Sequence, residues 1–299
     1  MIAIDWGTSS LRGYRLAADG RVLEQRRSDQ GIGACQGRFA ATLAALIDGW
    51  PGDVALCGMI GSRNGWIELP YAPCPADADA LAAAMQPLHD PALPGRTLWF
   101  VPGVASGAEA VPDVMRGEET QLIGLLDTLA QEPQGAGRHS VCLPGTHSKW
   151  VDLEHCRIAA LATMMTGELY ALLRQHSLLA RLMDADDAQF DGAGFDAGLQ
   201  RSGAPGGLLH HLFGVRSLGL FERLSAAAAP SYLSGLLIGH ELRARLPLAP
   251  SVHLIGGSGL LDRYAHALRA LGSQVRSHPE DLAAHGLYRL AQRRGGIGH

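Results

Sequence analysis

The sequence predicts a mixed α/β protein made of two halves that open with the same pattern. Each half begins with a short buried strand, a turn rich in glycine and hydroxyl residues, and a second strand, first from Ile2 and again from Ser140. Turns this short cannot contain a crossover helix, so the opening strands run antiparallel, which excludes a simple alternating strand–helix sheet. The 299 residues are enough for one large domain or two of ordinary size.

Composition and charge exclude several classes of protein. Hydrophobic residues make up 47% of the chain and the mean hydropathy is +0.05, which is typical of a globular protein with a sizeable core. A net charge of −4 without a long basic run argues against nucleic-acid binding. No apolar run has the length of a membrane span, and Asp5 interrupts the apolar N-terminus, unlike a signal peptide. Five cysteines without CxxC spacing indicate reduced thiols, and we expect a cytoplasmic protein.

In the N-terminal half, short apolar and alternating segments predict strands in IAID, LRGYRL, RVLEQRR, DVALCGMIGS and TLWFVPGV. The second and third strands are joined by the turn AADG and are therefore expected to be antiparallel. Apolar residues at helical spacing predict helices in GRFAATLAALIDGW and ADALAAAMQPL. A further helix is expected to begin at Pro112 or Asp113, with Leu122 and Ile123 on its apolar side.

In the C-terminal half, SVCLPGTHSKWVDL repeats the strand–turn–strand pattern and CRIAALATMM predicts a third strand. Residues 184–207 are expected to be a loop-rich insertion. The remaining segments predict helices in GELYALLRQHSLLARLM, PSYLSGLLIGHELRARL, LLDRYAHALRALG and PEDLAAHGLYRLAQRR, and strands in SVHLI and QVRSH.

The first glycine turn has the residue types of a phosphate-binding loop. Gly7 allows backbone N–H groups to approach an oxyanion, and the hydroxyls of Thr8 and Ser9 add donors. Asp5, at the end of the preceding strand, could hold Mg²⁺ directly or through water. The alternative is an ordinary hairpin turn with a capping aspartate.

The second glycine turn contains the chain's only lysine, Lys149, beside 24 arginines. Arginine replaces lysine readily on an ordinary surface but not where a compact charge is needed, so Lys149 could place its charge near a transferring phosphate. Its alternative role is that of a chance surface residue. The other residues of this turn repeat the donor pattern, with His147 as a hydrogen-bond donor: Gly145, Thr146, His147 and Ser148.

The third turn, Gly256-Gly257-Ser258, follows a strand and opens a helix whose N-terminal N–H groups would face the turn, although a tight connection would have the same sequence. The three turns in this order resemble the phosphate-1, phosphate-2 and adenosine elements of the actin–hexokinase superfamily. The resemblance implies two RNase H-like domains that close over ATP in an interdomain cleft. We expect residues 1–120 to carry the phosphate-1 and substrate side, and residues 121–299 to carry the phosphate-2 and adenosine elements. The last helix could pack back on the N-terminal domain.

Longer blocks narrow the resemblance. DWGTSSLRGYRL, CGMIGSRNGW, VPDVMRGEETQLIG, CLPGTHSKW and MMTGELYALL together resemble the 2-dehydro-3-deoxygalactonokinase family over essentially the whole chain. The resemblance implies phosphorylation of 2-dehydro-3-deoxy-D-galactonate at its 6-hydroxyl by ATP with Mg²⁺, in galactonate breakdown. The residues alone indicate an Mg-ATP phosphotransferase. A kinase for another sugar or sugar acid, or a non-catalytic nucleotide-binding regulator, remains an alternative.

A sugar kinase needs a carboxylate that orients the acceptor hydroxyl and takes its proton. In hexokinase-like enzymes this group lies at the start of the helix before the phosphate-2 hairpin, which the resemblance carries to Asp113. Glu118 and Glu119 are the other candidates. Asp113 could instead be a helix N-cap, with the two glutamates as solvated first-turn charges.

The expected substrate carries a carboxylate, for which arginine is the best partner. Arg12, Arg63 and Arg116 lie in or beside the motif blocks, and Trp66 could cover a sugar face or simply pack. Thr166-Gly167-Glu168 could line the cleft or cap a helix. The expected partner is a small molecule, without nucleic acid or membrane, and a homodimer is possible. Five histidines lack metal-ligand spacing and are expected to be structural or surface residues: His210, His211, His240, His253 and His266.

Overall fold

The computed structural model describes residues 1–107, 111–133, 135–184, 189–279, 281–295 and 297, without the side chain of Ser258. The strands are β1 Ile2–Trp6, β2 Leu11–Leu16, β3 Val22–Ser28, β4 Val54–Cys57, β5 Ala72–Pro73, β6 Gln86–Leu88, β7 Leu98–Phe100, β8 Val104–Ser106, β9 Asp113–Met115, β10 His139–Leu143, β11 Ser148–Glu154, β12 Arg157–Met164, β13 Ser251–Ile255 and β14 Gln274–His278. The helices are α1 Ile32–Cys35, α2 Phe39–Leu46, α3 Ala78–Ala84, α4 Glu118–Leu129, α5 Thr166–His176, α6 Gly192–Arg201, α7 Gly207–Leu220, α8 Ala229–Arg243, α9 Ser258–Ala270 and α10 Leu282–Arg294.

Two sheets share one strand order. The N-terminal sheet runs β3-β2-β1-β4-β7-β6, and the C-terminal sheet runs β12-β11-β10-β13-β14. In both sheets, the first three strands of the half lie next to one another in reverse chain order. The sheet then extends on the other side of the first strand through two strands that come later in the chain. The continuing strands are parallel in each case: β1 to β4 to β7, and β10 to β13 to β14. The predicted repetition of the two halves is therefore confirmed.

By spatial proximity the chain divides into two compact units. Unit 1 contains Met1–Arg138, Val151–Ala162 and Pro279–His299, and unit 2 contains His139–Trp150 and Thr163–His278. The boundary expected between residues 120 and 121 would fall within α4, a helix that packs along its length against α10 in unit 1. The interdomain ATP cleft stays a prediction.

Helices α4 and α10 of unit 1 approach closely through two glycines. A Cβ atom added at Gly124 would lie 2.4 Å from the carbonyl oxygen of Leu282, and one added at Gly286 would lie 1.8 Å from that of Thr120. Asp127 of α4 is bonded to His285 of α10 at 2.8 Å. The helix with the candidate carboxylates is thus held by the last helix of the chain.

The expected helix start at Asp113 is wrong. Asp113–Met115 forms strand β9, antiparallel to β8, and α4 begins only at Glu118. Gly117 separates the two with a φ of 111°, a backbone conformation that side chains rarely allow, so the helix cannot extend back through it. Asp113 is therefore not the N-cap of α4.

The expected loop-rich insertion at 184–207 contains helix α6, and α7 follows it without having been predicted. The glycines of α6 lower its predicted helix propensity, which is why the sequence did not indicate a helix. In the structure they allow close packing, because a Cβ atom added at Gly198 would lie 2.0 Å from the carbonyl oxygen of Tyr232 in α8. Residues 185–188 of this insertion lie outside the described residues. Gln86–Leu88, expected as the end of a helix, is a strand paired with β7. The other predicted elements are present in order, several of them shorter than expected. No helix among the described residues is long and apolar enough to cross a bilayer.

Candidate active site

The first turn projects from the hairpin of β1 and β2 in unit 1. The amide of Gly7 donates to the carbonyl of Ser10 at 2.9 Å, which closes the turn and leaves the side chains of Thr8 and Ser9 exposed. Asp5 pairs across the hairpin with Arg12, at 3.7 Å between carboxylate oxygen and guanidinium nitrogen. Both side chains are about one-fifth exposed, so the carboxylate stays within reach of a ligand at the end of β1.

Three carboxylates of unit 1 act on one buried thiol. Asp5 is the register partner of Cys57 on the parallel strand β4, and Thr120 of α4 donates its hydroxyl hydrogen to the Cys57 sulfur at 3.2 Å. Burial raises the pKa of Cys57 well above its usual value, and the charges of Asp5, Glu119 and Glu118 raise it further. The carboxyl end of the sheet and the start of α4 therefore form one acidic site.

The two glutamates at the start of α4 differ in environment. Glu118 accepts a hydrogen bond from the amide of Arg116 at 3.1 Å and is half-buried. Glu119 is fully buried; its Oε2 accepts from the amide of Gly117 at 2.7 Å, and no described residue bonds to its Oε1. Burial, and then the charge of Glu118, raise the pKa of Glu119 to about 8. At neutral pH Glu119 carries a proton.

Arg116 is buried just before this helix. One Nη donates to the carbonyl of Leu69 at 2.8 Å, and the guanidinium carbon lies 4.4 Å from the ring centre of Tyr71. Its Nε and other Nη are buried and have no hydrogen-bond partner among the described residues. A buried guanidinium with two such nitrogens has the chemistry to bind a carboxylate.

The other residues predicted on the substrate side lie in different surroundings. Arg63 has an 84% exposed side chain and pairs with Glu68 at 3.2 Å. Trp66 stacks on Phe39 at 6.0 Å and packs against the core of unit 1. Asp113 on β9 accepts a hydrogen bond from the amide of Val114 at 2.8 Å.

The second turn lies between β10 and β11 in unit 2. Lys149 is only 8% exposed, and its ammonium donates to the hydroxyl of Thr163 at 2.8 Å. The only lysine is therefore not an ordinary surface residue. His147 is half-exposed and bonds through Nε2 to Glu168 at 2.5 Å.

The start of α5 packs directly on the second turn. The amide of Glu168 donates to the carbonyl of Thr146 at 2.9 Å, and a Cβ at Gly167 would lie 2.3 Å from the carbonyl oxygen of Gly145. Thr166-Gly167-Glu168 is thus both a helix start and a support of the turn.

A buried network behind this turn was not predicted. Glu241 of α8, 4% exposed, accepts hydrogen bonds from Trp150 Nε1 at 2.8 Å, from the Tyr264 hydroxyl at 2.7 Å and from the Thr166 hydroxyl. Burial raises the pKa of Glu241, and these donors oppose that rise. The hydroxyls of the fully buried Ser148 and of Tyr264 lie 2.8 Å apart, which connects β11 to this network. The sequence feature that could have indicated this network is Glu241, the one acidic residue in the apolar segment SYLSGLLIGHEL.

The third turn and α9 adjoin a pocket of unit 2. Gly256 has a φ of 155°, and Gly257 precedes the first residue of α9. The pocket is lined by the second turn and by α5, α8 and α9, through Gly145, Thr166, Gly167, Tyr170, Ser234, Leu237, Ile238, Leu260, Arg263 and Tyr264. The second turn, through Gly145, and helix α9, which follows the third turn, therefore border one pocket. The side chain of Ser258 is outside the described structure.

Four histidines of unit 2 form two pairs, and His266 bonds instead to Asp196 at 2.6 Å. His211 is buried and bonds to His240 at 2.9 Å, and His253, 2% exposed, bonds to His278 at 2.9 Å. Within the described ranges no group of three or more histidine, cysteine, aspartate or glutamate side chains could hold a metal ion.

Comparison with known proteins shows similarity over nearly the whole chain. The family model for 2-keto-3-deoxy-galactonokinase matches residues 5–290. A probable 2-dehydro-3-deoxygalactonokinase of Rhizobium meliloti is 38% identical over 291 residues, 94% of this chain and 92% of that protein. The 2-dehydro-3-deoxygalactonokinase of Escherichia coli is 34% identical over 289 residues, 94% of each chain.

Solved structures show the same fold. A crystal structure of a 2-dehydro-3-deoxygalactonokinase candidate from Sinorhizobium meliloti has a TM-score of 0.86 and 36% identity, covering 97% of this chain and 98% of that one. The activator of 2-hydroxyisocaproyl-CoA dehydratase from Clostridium difficile, solved with ADPNP, has a TM-score of 0.53 and 12% identity, covering 98% and 95%. The second likeness, at 12% identity, extends to the fold alone.

Proposed function

The chain belongs to the 2-keto-3-deoxy-galactonokinase family, and from this membership we propose that it transfers the γ-phosphate of ATP to 2-dehydro-3-deoxygalactonate. The observation that carries the proposal is the family match over residues 5–290, which includes the glycine turns and the acidic site at the start of α4. The chain is thus a sugar-acid kinase.

We assign Arg116 to the substrate carboxylate. It is buried, its orientation is fixed by Leu69 and Tyr71, and two of its nitrogens have no bond within the described residues. The other two candidates fit less well, because Arg12 is paired with Asp5 and Arg63 is exposed and paired with Glu68. An acceptor held by its carboxylate at C1 would present its far end, the 6-hydroxyl, for transfer.

We assign the base to Glu118. Burial raises the pKa of Glu119 to about 8, so it holds a proton at neutral pH and cannot take another there. Asp113 lies on strand β9 and not at the start of α4. Glu118 is half-buried and belongs to the same acidic site as Asp5. In the reaction the acceptor oxygen forms a bond to the γ-phosphorus while the bond from phosphorus to the ADP oxygen breaks. The hydroxyl proton passes to Glu118.

For the phosphates of ATP, we propose as ligands the backbone amides around Gly145 and Thr146 and the ammonium of Lys149. The pocket beside Tyr170 and Arg263 would hold the adenine ring. The exposed hydroxyls of Thr8 and Ser9 in the first turn are further candidate donors to phosphate. The likeness to a protein solved with ADPNP is one of fold and supports no residue assignment.

Asp5 fits the chemistry of Mg²⁺, which prefers carboxylate oxygen and is usually bound by one or two carboxylates together with substrate phosphates. Its partly exposed carboxylate at a strand end suits such a ligand, and no preformed three-ligand group exists among the described residues. When bound, the ion would neutralise charge on the transferring phosphate. Asp5 would hold and orient it, with Arg12 fixing the carboxylate.

A substrate panel tests the assignment. ADP release should be measured with 2-dehydro-3-deoxygalactonate, its gluconate epimer and simple aldonates, and the product position should be read by ³¹P–¹H NMR. We expect the galactonate derivative to be used best and to be phosphorylated at C6. No turnover of that compound, with turnover of another sugar, would contradict the proposed substrate.

A further inference from the structure

Helix α7 of unit 2 is apolar on its outer side as well as its inner side. Its inner residues, including His211 and Val215, are buried against α8 and its neighbours. Its outer stripe follows helical spacing at Leu209, Phe213, Arg216 and Leu220. Leu209 is 86% exposed, Phe213 63% and Leu220 57%. A helix facing water normally has a polar outer side, whereas a helix that is apolar all round is normally covered on both sides.

The stripe continues into neighbouring residues. Phe221, directly after the helix, is 73% exposed. Leu178, 55% exposed, adjoins the middle of the stripe, because Arg216 donates to its carbonyl at 3.3 Å. We call these residues the α7 face: Leu178, Leu209, Phe213, Arg216, Leu220 and Phe221. Its five apolar side chains expose about 600 Å² at the areas typical of such residues, the upper end of what monomers expose in one patch.

We propose that the α7 face binds the α7 face of a second copy of this chain, with the two helices antiparallel about a two-fold axis. Leu209 of one copy would then face Leu220 of the other, and Phe213 would face Arg216, so every position meets a suitable partner. The Arg216 guanidinium would lie on the partner's phenyl ring, a favourable cation–π pair. No acidic residue occurs within Gly207–Leu220, and Arg216 is the only arginine or lysine of the segment.

The exposed apolar area of the α7 face is large enough for an interface with a second copy of the chain. Two α7 faces would bury about 1,200 Å² of apolar side chain, which reaches the lower limit of stable protein interfaces before any rim contact is added. A face that is complementary to itself gives a closed dimer, whereas a face for an unrelated partner has no reason to be complementary to itself.

The experiment compares two equally polar substitutions at one position in the full chain. Phe213→Lys places a positive charge against the partner's Arg216, and Phe213→Glu places a negative one there. Sedimentation and light scattering should show a wild-type dimer at about 50 µM, a Kd raised about 30-fold or more by Phe213→Lys, and a much smaller increase for Phe213→Glu. Leu23→Glu, on the exposed edge strand β3, is the matched control and should leave the dimer unchanged.

Three results would overturn the proposal. If the wild-type protein is a monomer at about 50 µM, the proposed dimer does not form. Flotation of that monomer with phosphatidylcholine vesicles would then assign the α7 face to lipid binding. An unchanged Kd in Phe213→Lys places the interface elsewhere. Equal weakening by Phe213→Lys and Phe213→Glu excludes the antiparallel pairing. Circular dichroism and thermal unfolding, which should be alike for the two variants in dilute solution, separate dissociation from misfolding.

Discussion

The surroundings of the two glycine hairpins differ although their sheets share one strand order. At the start of α4 in unit 1, Glu119 and Arg116 are buried with polar atoms that no described residue bonds. Behind the second turn in unit 2, Glu241 is also buried, but three donors surround its carboxylate. The same strand order therefore supports two different arrangements of buried polar groups. Unit 1 leaves polar atoms of Glu119 and Arg116 without a bond from the described residues, and our proposal assigns those of Arg116 to the substrate. Unit 2 surrounds its buried carboxylate with donors behind the second turn.

The two buried glutamates meet the cost of desolvation differently. Burial is the largest cause of the raised pKa for both. Glu119 has few donors and the charge of Glu118 nearby, so it retains a proton. For Glu241 every other cause is a hydrogen bond that lowers the pKa. A buried carboxylate is stable only if it is neutral or well bonded, and each unit shows one of these solutions.

The largest loss of activity is expected from a substitution of Glu118, the proposed base in unit 1. Glu118→Gln keeps the size of the side chain but cannot accept a proton, and kcat should fall by about 10²- to 10⁴-fold. Steady-state ADP release checks this, with Asp113→Asn as the matched carboxylate control. A larger loss in Asp113→Asn than in Glu118→Gln would return the base to Asp113.

The next effect concerns the unbonded nitrogens of Arg116. Arg116→Met removes the charge-assisted hydrogen bonds to the substrate carboxylate, and the KM for the sugar acid should rise about 10- to 100-fold while that for ATP changes little. Arg63→Met, at an exposed arginine, is the control. An equal rise in both variants would show that Arg116 has no special role.

Lys149 tests whether unit 2 also contributes a ligand group. Lys149→Met should lower kcat/KM for ATP about 10- to 100-fold through loss of a charge near the phosphates. Lys149→Arg should restore little, because the broad guanidinium does not fit where the ammonium bonds Thr163. Full activity of Lys149→Arg would mean that the site needs only a positive charge, contrary to the argument from composition.

Glu119 gives a prediction about pH and stability. Its pKa is about 8 in the folded chain against an ordinary value of 4.5, so the folded state binds the extra proton between these values. Its contribution to stability is complete below pH 4.5 and is lost as the pH rises through 8. Glu119→Gln is neutral throughout, so at pH 8 it should be more stable than wild type by about 4 kcal/mol, with little difference near pH 4.5. Urea unfolding at both pH values measures this. Parallel curves for the two proteins would mean that Glu119 is ionised when folded.

The smallest effect is expected in the bonded network of unit 2. Tyr264→Phe removes the hydroxyl between Ser148 and Glu241 and should cost about 1–2 kcal/mol, lowering Tm by about 2–4 °C. Calorimetry should compare it with Tyr170→Phe, a tyrosine of the same unit outside the network. A Tm equal to that of Tyr170→Phe would indicate that the network does not stiffen the turn.

Much of the fold could be predicted from sequence, since buried strands such as IAID and glycine turns leave local patterns. Helix α6 could not, because the glycines that let it touch α8 also lower helix propensity. In the site, motif position named Arg116 and the two glutamates, but only burial distinguishes Arg116 from Arg63 and Glu119 from Glu118. Glu241 was missed because its donors come from distant segments of the chain.

The packing of α10 on α4 has a consequence for protein synthesis. Unit 1 is built from both ends of the chain, and Gly286 must meet Thr120 before the helix that carries Glu118 and Glu119 is held in place. Until α10 has been translated, the nascent chain carries an acidic helix that lacks its partner. We therefore expect activity only once α10 has packed on α4, so that a late segment of the chain completes a site encoded much earlier.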